Sequence, residues 1–374
     1  MTLYSSIVCI SVAIFGAKPY PQIRERLMEF VKFGLGAAMA VGVVAALPTA
    51  SIAQERTITA VTGLQQTNIL AKSYIEKFVK VMNASGKGVL QIKYVGGQEV
   101  VPPRKAAAAL KRGQFDMLSC PTAYYIGTVP EGYGMLASNQ GPRVLRANGG
   151  WELLQKIYAE KAGAHLLSWG ANMTSYHMYL WKKPKLGKDG VPDLTGYKMR
   201  ATGTYRPLFR ALGATTINIK SSEVITAVQR GTVDGYGFTD VSLPAIGLHT
   251  VTKYRVQPNF YQTNTVETMN LATWKSLNQA QKNMLNRMAI EYEITSVQYI
   301  EAERLREEKI IKKQGIKDIV LKGAAAAKYL EIAHGEIWKE LKSRSKYHDQ
   351  LKPLLYKPGK PNRQFDLGDT RLQK

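Results

Sequence analysis

From Arg56 onward the chain alternates between two hydrophobic periods. "RTITAVTG" (Arg56 to Gly63) alternates apolar with polar positions and is rich in Thr, Ile and Val, which predicts a strand entering a loop. "NILAKSYIEKFVKVMNAS" then places Ile69, Leu70, Tyr74, Ile75, Phe78, Val79 and Met82 at the three-and-four spacing of a helix. The strand "VLQIKYV", the loop "GGQEVVPP", the helix "RKAAAALKR" and the strand "FDML" follow. Alternating strands and helices of this kind define an α/β lobe. Next come the helix "NGGWELLQKIYAEKAG", stopped by Gly163, and two strands, "AHLLSWG" and "SYHMYLWKKP". The Gly-, Pro- and Lys-rich "KLGKDGVPDLTG" marks a lobe boundary.

A second lobe repeats the rhythm. "YKMRAT" is a strand, "TYRPLFRALG" a helix, "TTINI" a strand, "SSEVITAVQRG" a helix with Ser221 or Ser222 as its N-cap, and "TVDGYGF" a strand. After the short helix "LPAIGLHT", the strands "TKYRVQ" and "NTVETMNLA" are expected to lead back toward the first lobe. From Asn278 to Gln314 no proline or glycine interrupts a helical pattern, well past the roughly 8 to 20 residues of common globular helices. Such a helix is long enough to lash two lobes together. "IKDIVL" and "AAAAKYLEIAHGEIWKELKSR" complete the pattern as a strand and a helix.

One joint is written twice, as "ALKRGQFDM" (Ala109 to Met117) and "AVQRGTVDGYG" (Ala227 to Gly237). In each, helix formers end in a base and a glycine, which suits the left-handed position past a helix end, and an aspartate follows three residues later. Asp116 and Asp234 are expected on the next strands, near the edge of a cleft. The repetition implies two lobes of one architecture.

Ahead of this body, "FVKFGLGAAMAVGVVAALPTASIAQ" carries Lys32, an apolar run from Phe33 to Leu47, and a small-residue pattern ending at Ala53. The run is about 15 residues, short of the ~20 a spanning helix needs, so it reads as a secretory signal over residues 1–53. Met28 is the expected start, since Met1 to Leu27 adds nothing a signal requires. Cys9 and Cys120 are the two cysteines, and loss of Cys9 with the leader leaves no disulfide to form. Residues 346–374 read as a basic extension, which lacks helical periodicity from Lys357 on.

With 51 Lys+Arg against 28 Asp+Glu, the net charge of +23 admits nucleic acid, an acidic membrane surface or small anions as partners. Nucleic acid is set aside because the bases are scattered and no binding motif organises them. Enzyme signatures such as GxxxxGK[ST], HExxH, GxSxG and CxxC are absent, and the histidines at 165, 177, 249, 334 and 348 lie too far apart for ligand spacing. No cofactor and no metal is expected. Arg200 closes the otherwise apolar strand end of "YKMR", where a guanidinium takes a carboxylate bidentately or forms a structural ion pair. Tyr124 and Tyr125 follow "FDML" where the first lobe faces the cleft, so one is expected to line a pocket and the other to pack. Gln65, Tyr176, Tyr205 and Asn172 are weaker pocket candidates.

The segment "DLTGYKMRATGTYRPLFRALGATTINIKSSEVITAVQRGTVDGYGF" resembles the core of the TRAP-transporter solute-binding proteins, the DctP-type periplasmic receptors. Their pattern reads roughly D-L-x-G-x-K-x-R, then A-L-G-A, then a helix ending in G-x-V-D-G. "GGQEVVPP", "ALKRGQFDM" and "PTAYYIGTVPEGYG" extend the resemblance from Arg56 to the final helix. It implies a two-lobed periplasmic-binding-protein-like α/β fold with strand hinges and a long helix spanning both lobes. Residues 54–178 with about 240–275 would form the first lobe, and 179–239 with about 276–345 the second.

The family's carboxylate-binding arginine falls on Arg200, and its second basic contact aligns with His177. A pocket position falls on Phe238, making this chain more apolar there than many relatives. Gly237 stands where metal-using keto-acid receptors carry an acid, a departure that argues against a bound cation. The implied function is a non-enzymatic periplasmic receptor that binds a keto, hydroxy or aromatic carboxylate and delivers it to TRAP membrane subunits. A receptor feeding a signalling complex is the alternative, followed by a secreted enzyme.

Overall fold

The computed structural model describes residues 55–357. The leader expected at 1–53 and the tail past Lys357 lie outside the described residues. In chain order the strands are β1 (Arg56–Thr62), β2 (Leu90–Gly96), β3 (Met117–Pro121), β4 (Ala164–Ser168), β5 (Ser175–Leu180), β6 (Lys185–Leu186) and β7 (Pro192–Asp193). They continue with β8 (Lys198–Arg200), β9 (Thr215–Ile217), β10 (Gly235–Thr239), β11 (Tyr254–Gln262), β12 (Thr265–Asn270) and β13 (Lys317–Val320).

Two large sheets form the lobes. The first has the order β2-β1-β3-β12-β4, and the second β13-β11-β5-β10-β8-β9. In the first, β1 runs parallel to β2 and β3 while β12 is antiparallel to β3 and β4. In the second, β5 lies antiparallel to both β10 and β11. The expected lobe boundary at residue 178 falls inside β5, and of the residues 240–275 expected in the first lobe the sheets place β12 there and β11 in the second. Every residue of β5 is buried, and a strand covered on both faces belongs to the sheet that supplies both of its ladders. Those partners, β10 and β11, lie far along the chain, so local pattern does not show them.

The repeated joint has the predicted backbone. Gly113 and Gly231 adopt φ of 71° and 66°, and an added Cβ at either would meet nothing within 4 Å, so backbone conformation alone calls for glycine. The aspartates do not reach the cleft. Asp116 accepts from the backbone N–H of Thr59 at 2.8 Å and from the Thr273 hydroxyl at 2.9 Å, while Asp234 accepts from the backbone N–H of Lys198 at 2.9 Å and pairs with Lys182 at 2.7 Å. Both sit at the amino ends of their strands, whereas the cleft opens at the carboxyl ends. Their role is to staple neighbouring strands in register.

The helix Gln279–Lys313 starts where the sequence predicts. Asn278 accepts from the Gln281 backbone N–H at 2.9 Å, and the Gln281 side chain accepts from the Asn278 N–H at 3.1 Å, a reciprocal capping box. Along its length, Leu285, Ala289 and Tyr292 pack in a core cluster with Ile58, Tyr74 and Phe78 of the first lobe. Further on, Ile300 joins Leu64 and Val241, and Ile311 joins Tyr236 and Leu248 of the second lobe. The helix is therefore buried against both sheets in turn.

The chain crosses between the sheets at residues 169–174 and 263–264, and the two crossings are bonded to each other. Thr263 N–H donates to the Thr174 carbonyl at 2.7 Å, and the Trp169 indole donates to the Thr263 carbonyl at 2.7 Å. The long helix holds the first crossing: Glu293 accepts from the Trp169 N–H at 3.1 Å, and Ser296 from the Ala171 N–H at 3.1 Å.

The extension expected from residue 346 is, as far as Lys357, part of the body. His348–Leu355 is a helix whose Leu351 and Leu355 are fully buried in the main core. The Leu355 carbonyl also accepts from the Ser138 hydroxyl at 2.7 Å and the Asn139 N–H at 3.1 Å. Two leucines four apart supply the apolar stripe that the surrounding Lys and Pro conceal.

Candidate functional site

A cavity lies between the two sheets at the carboxyl ends of β3, β8 and β10. The first lobe contributes Leu64, Asn68, Leu70, Pro121, Ala123 and Tyr124, and the second Tyr176, Arg200, Thr202, Thr204, Tyr205, Phe238 and Thr239. Its volume is about 40 Å³, room for roughly three waters. Both lobes wall it.

Among the described residues, Arg200 is its one charged lining residue. The guanidinium is 1% exposed, with Nε donating to the Ile219 carbonyl at 3.0 Å and Nη1 to the Gly237 carbonyl at 3.3 Å. These use two of its five N–H donors. Among the described residues no carboxylate pairs with it. Arg255 in the same sheet makes the contrast plain: it is 6% exposed and held by Glu308 at 2.8 Å and Asp318 at 2.7 Å. A buried cation without an anion is costly, so the Arg200 arrangement favours an anion arriving from solvent.

Aromatic rings build the rest of the wall. Tyr205 meets Tyr176 edge to face at 5.3 Å and stacks on Phe209 at 6.0 Å. Tyr176 comes from β5, and its hydroxyl donates to Thr263 Oγ1 at 3.1 Å, which ties the cavity wall to the crossing segment. Burial raises the Tyr124, Tyr176 and Tyr205 phenols, with Arg200 pulling Tyr124 and Tyr205 the other way, so all three remain neutral donors at physiological pH. Phe238 shares the sheet face of Tyr236, whose register partner is Arg200.

Of the expected residues, the structure brings Arg200, Tyr124, Tyr176, Tyr205 and Phe238 together around the cavity. Tyr125 packs away from it, 5% exposed in the main core cluster. Gln65 sits on the cavity loop but does not line the cavity; Leu64 and Asn68 do. Asn172 serves the crossing segment, its amide donating to the Trp169 carbonyl at 3.1 Å.

His177 is not among the cavity's lining residues, although its register partner on β10 is Phe238, which is. Its Nδ1 contacts the Val256 carbonyl at 3.0 Å and its ring meets Tyr179 edge to face. It lines a separate polar recess with Asp240, Arg255 and Glu308. Sequence reasoning missed Asn68, Thr202, Thr204 and Thr239, which are polar residues of loops and strand ends with no periodicity to mark them. Among the described residues no group of three or more His, Cys, Asp or Glu is placed to hold a metal ion.

A two-lobed α/β body with a buried cation in an interlobe cavity is the architecture of a solute receptor. The chain belongs to the DctP family, the bacterial extracellular solute-binding proteins of family 7, which it matches over residues 62–344. A solute-binding protein of Albidiferax ferrireducens is 21% identical over 281 residues, covering 71% of this chain and 80% of the relative. The fold matches a TRAP transporter solute-binding protein from Bordetella bronchiseptica, solved with copurified calcium and picolinate, with a TM-score of 0.71 at 17% identity over 81% of this chain and 91% of that one. It also matches DctP7 of Bordetella pertussis, an extracytoplasmic receptor binding pyroglutamic acid, with a TM-score of 0.69 at 16% identity over 81% of this chain and 100% of that one.

Proposed function

We propose that this chain is a periplasmic receptor that closes its lobes around a small organic acid and passes it, chemically unchanged, to a TRAP-type membrane transporter. The carrying observation is Arg200, buried at 1% exposure and without a carboxylate partner among the described residues. A ligand carboxylate supplies the missing charge, and the remaining guanidinium N–H groups take it bidentately. Tyr205, Tyr176, Tyr124 and Phe238 then surround the body of the acid, while Thr202, Thr204 and Asn68 offer hydrogen bonds to its oxygens. Picolinate and pyroglutamic acid, bound by the two Bordetella proteins, both carry a carboxylate on a compact ring. Closure follows from linkage: an acid that touches both lobes binds only the closed state fully and so raises its population. A thermal-shift screen of small organic acids, with their amides as controls, tests this. Stabilisation by one or more acids and not by the amides is expected; stabilisation by amides and acids alike would overturn it.

A further inference from the structure

Besides the cavity, the lobes meet at a fully buried serine. Ser242 lies in the loop after β10, is 0% exposed, and adopts φ of 72°, a left-handed conformation uncommon for a residue with a Cβ. Its hydroxyl accepts from the Ile69 N–H of the first lobe at 2.9 Å and donates to Asn68 Oδ1 at 3.3 Å. Its own backbone N–H donates to Glu307 Oε2 at 2.5 Å, and the other Glu307 oxygen accepts from the Ala245 N–H at 3.2 Å. Glu307 belongs to the helix Gln279–Lys313. Three parts of the molecule thus converge: a first-lobe loop, a second-lobe loop and the spanning helix.

Asn68 joins this contact to the cavity. Its Oδ1 is occupied by the Leu70 N–H at 2.9 Å and by Ser242, while the residue also lines the cavity beside Leu64 and Leu70. Its NH2 group has no protein acceptor among the described residues and is the part left to face a ligand. Ser242 does not line the cavity, and its hydroxyl is committed in both directions, as acceptor and as donor. Opening the lobes breaks both hydroxyl bonds at once. The Glu307 carboxylate, by fixing two N–H groups of the loop, keeps Ser242 in the one backbone conformation that aims its hydroxyl across the interface.

We propose that Asn68, Ser242 and Glu307 form a closing latch that sets how long the receptor holds its ligand, with Ser242 and Glu307 taking no part in choosing it. Ser242 and Glu307 are positioning residues. Asn68 couples the latch to the cavity, because a ligand acceptor on its NH2 orients the same amide whose oxygen receives Ser242. The latch rests on the receptor reading above for its consequence on ligand release, but the interlobe contact itself can be judged without any ligand.

The experiment compares the secreted receptor with its Ser242→Ala, Ser242→Gly and Glu307→Gln variants in two readouts. The first is the distance between spin labels at Lys87→Cys and Lys188→Cys, exposed positions in different lobes, measured in ligand-free protein. The second is the dissociation rate and the order of affinities for picolinate, pyroglutamate and orotate, followed by tryptophan fluorescence. Both serine variants are expected to shift the distance distribution toward open forms and to speed dissociation about 5- to 20-fold, with the order of affinities kept. The glycine variant matters because it relieves the φ of 72° while removing the hydroxyl, so an equal effect assigns the loss to the bond and not to strain. Glu307→Gln keeps one acceptor and should fall between. Unchanged distances, or dissociation within twofold of the parent, would overturn the latch, and a changed order of affinities would make Ser242 a selectivity residue instead. Should none of the three acids bind the parent, the receptor reading fails for them while the distance measurement still decides the latch.

Discussion

Any side chain at position 237 would collide with Tyr205: a Cβ built there lies 2.3 Å from the Tyr205 Cγ and 2.5 Å from Cδ1. The Tyr205 ring therefore lies flat against the bare backbone of β10, beside the carbonyl of Gly237 that accepts from Arg200. The absence of a side chain there is what admits the aromatic wall. Gly237→Ala should push the ring into the cavity, cost about 1–3 kcal/mol of stability, and weaken acid binding. Adding Tyr205→Leu should return much of that stability but not the affinity. A double-mutant cycle read by chemical denaturation checks this, and simple additivity of the two changes would contradict it.

His177→Gln should leave acid affinity within about twofold of the parent, measured by calorimetry, because the side chain faces the recess shared with Arg255 and Glu308. Stability should fall by roughly 1–2 kcal/mol through the disturbed Val256 contact. A large loss of affinity with stability intact would place the imidazole in the cavity after all.

Buried carboxyls give the stability a defined dependence on pH. Glu267 is 0% exposed, and burial pushes its carboxyl up to about 7 although Ser168, Ser119 and the Gly170 N–H all donate to it. Burial likewise raises Glu307 to about 7. A carboxyl raised above its unfolded value of 4.5 contributes stability that is complete below that value and is lost as pH rises through about 7. Their joint contribution should thus decline between about pH 4.5 and pH 7, with roughly 3 kcal/mol from Glu267. Glu267→Gln can satisfy the same donors after one serine hydroxyl rotates, so it should flatten the slope. Thermal denaturation across pH reads this directly, and an unaltered slope in the variant would contradict it.

A chain ending at Ser345 should be less stable than one ending at Lys357 by about 3 kcal/mol or more. The shorter chain uncovers the sites filled by Leu351 and Leu355 and frees the Ser138 and Asn139 bonds. Comparison of their melting temperatures checks it.

How much of this was legible in the sequence depended on how local the cause was. The start of the long helix near Asn278 and the left-handed glycines 113 and 231 are set by neighbouring residues, and both were readable from local pattern. Arg200 was readable because a charge closing an apolar strand is anomalous, and the family motif sharpened it. The membership of β5 and β11 in the second sheet was not, because their partners lie far away in the chain. His177 falls outside the cavity lining for a related reason: an alignment fixes a position on a strand, but the partner strand's carbonyl fixes which way the ring turns. Asn68, Thr202 and Thr204 lie in loops, where residue type says little until the lobes come together around the cavity.

The direct test of an acid site at Arg200 is titration calorimetry of the parent and Arg200→Met with picolinate, pyroglutamate and orotate, each beside its carboxamide. For any acid that binds, the parent should prefer it over the amide by about 100-fold or more, and Arg200→Met should abolish that preference while keeping the fold. Equal binding of acid and amide by the parent, or acid affinity within about tenfold of the parent in Arg200→Met, would show that the anion is not what Arg200 awaits.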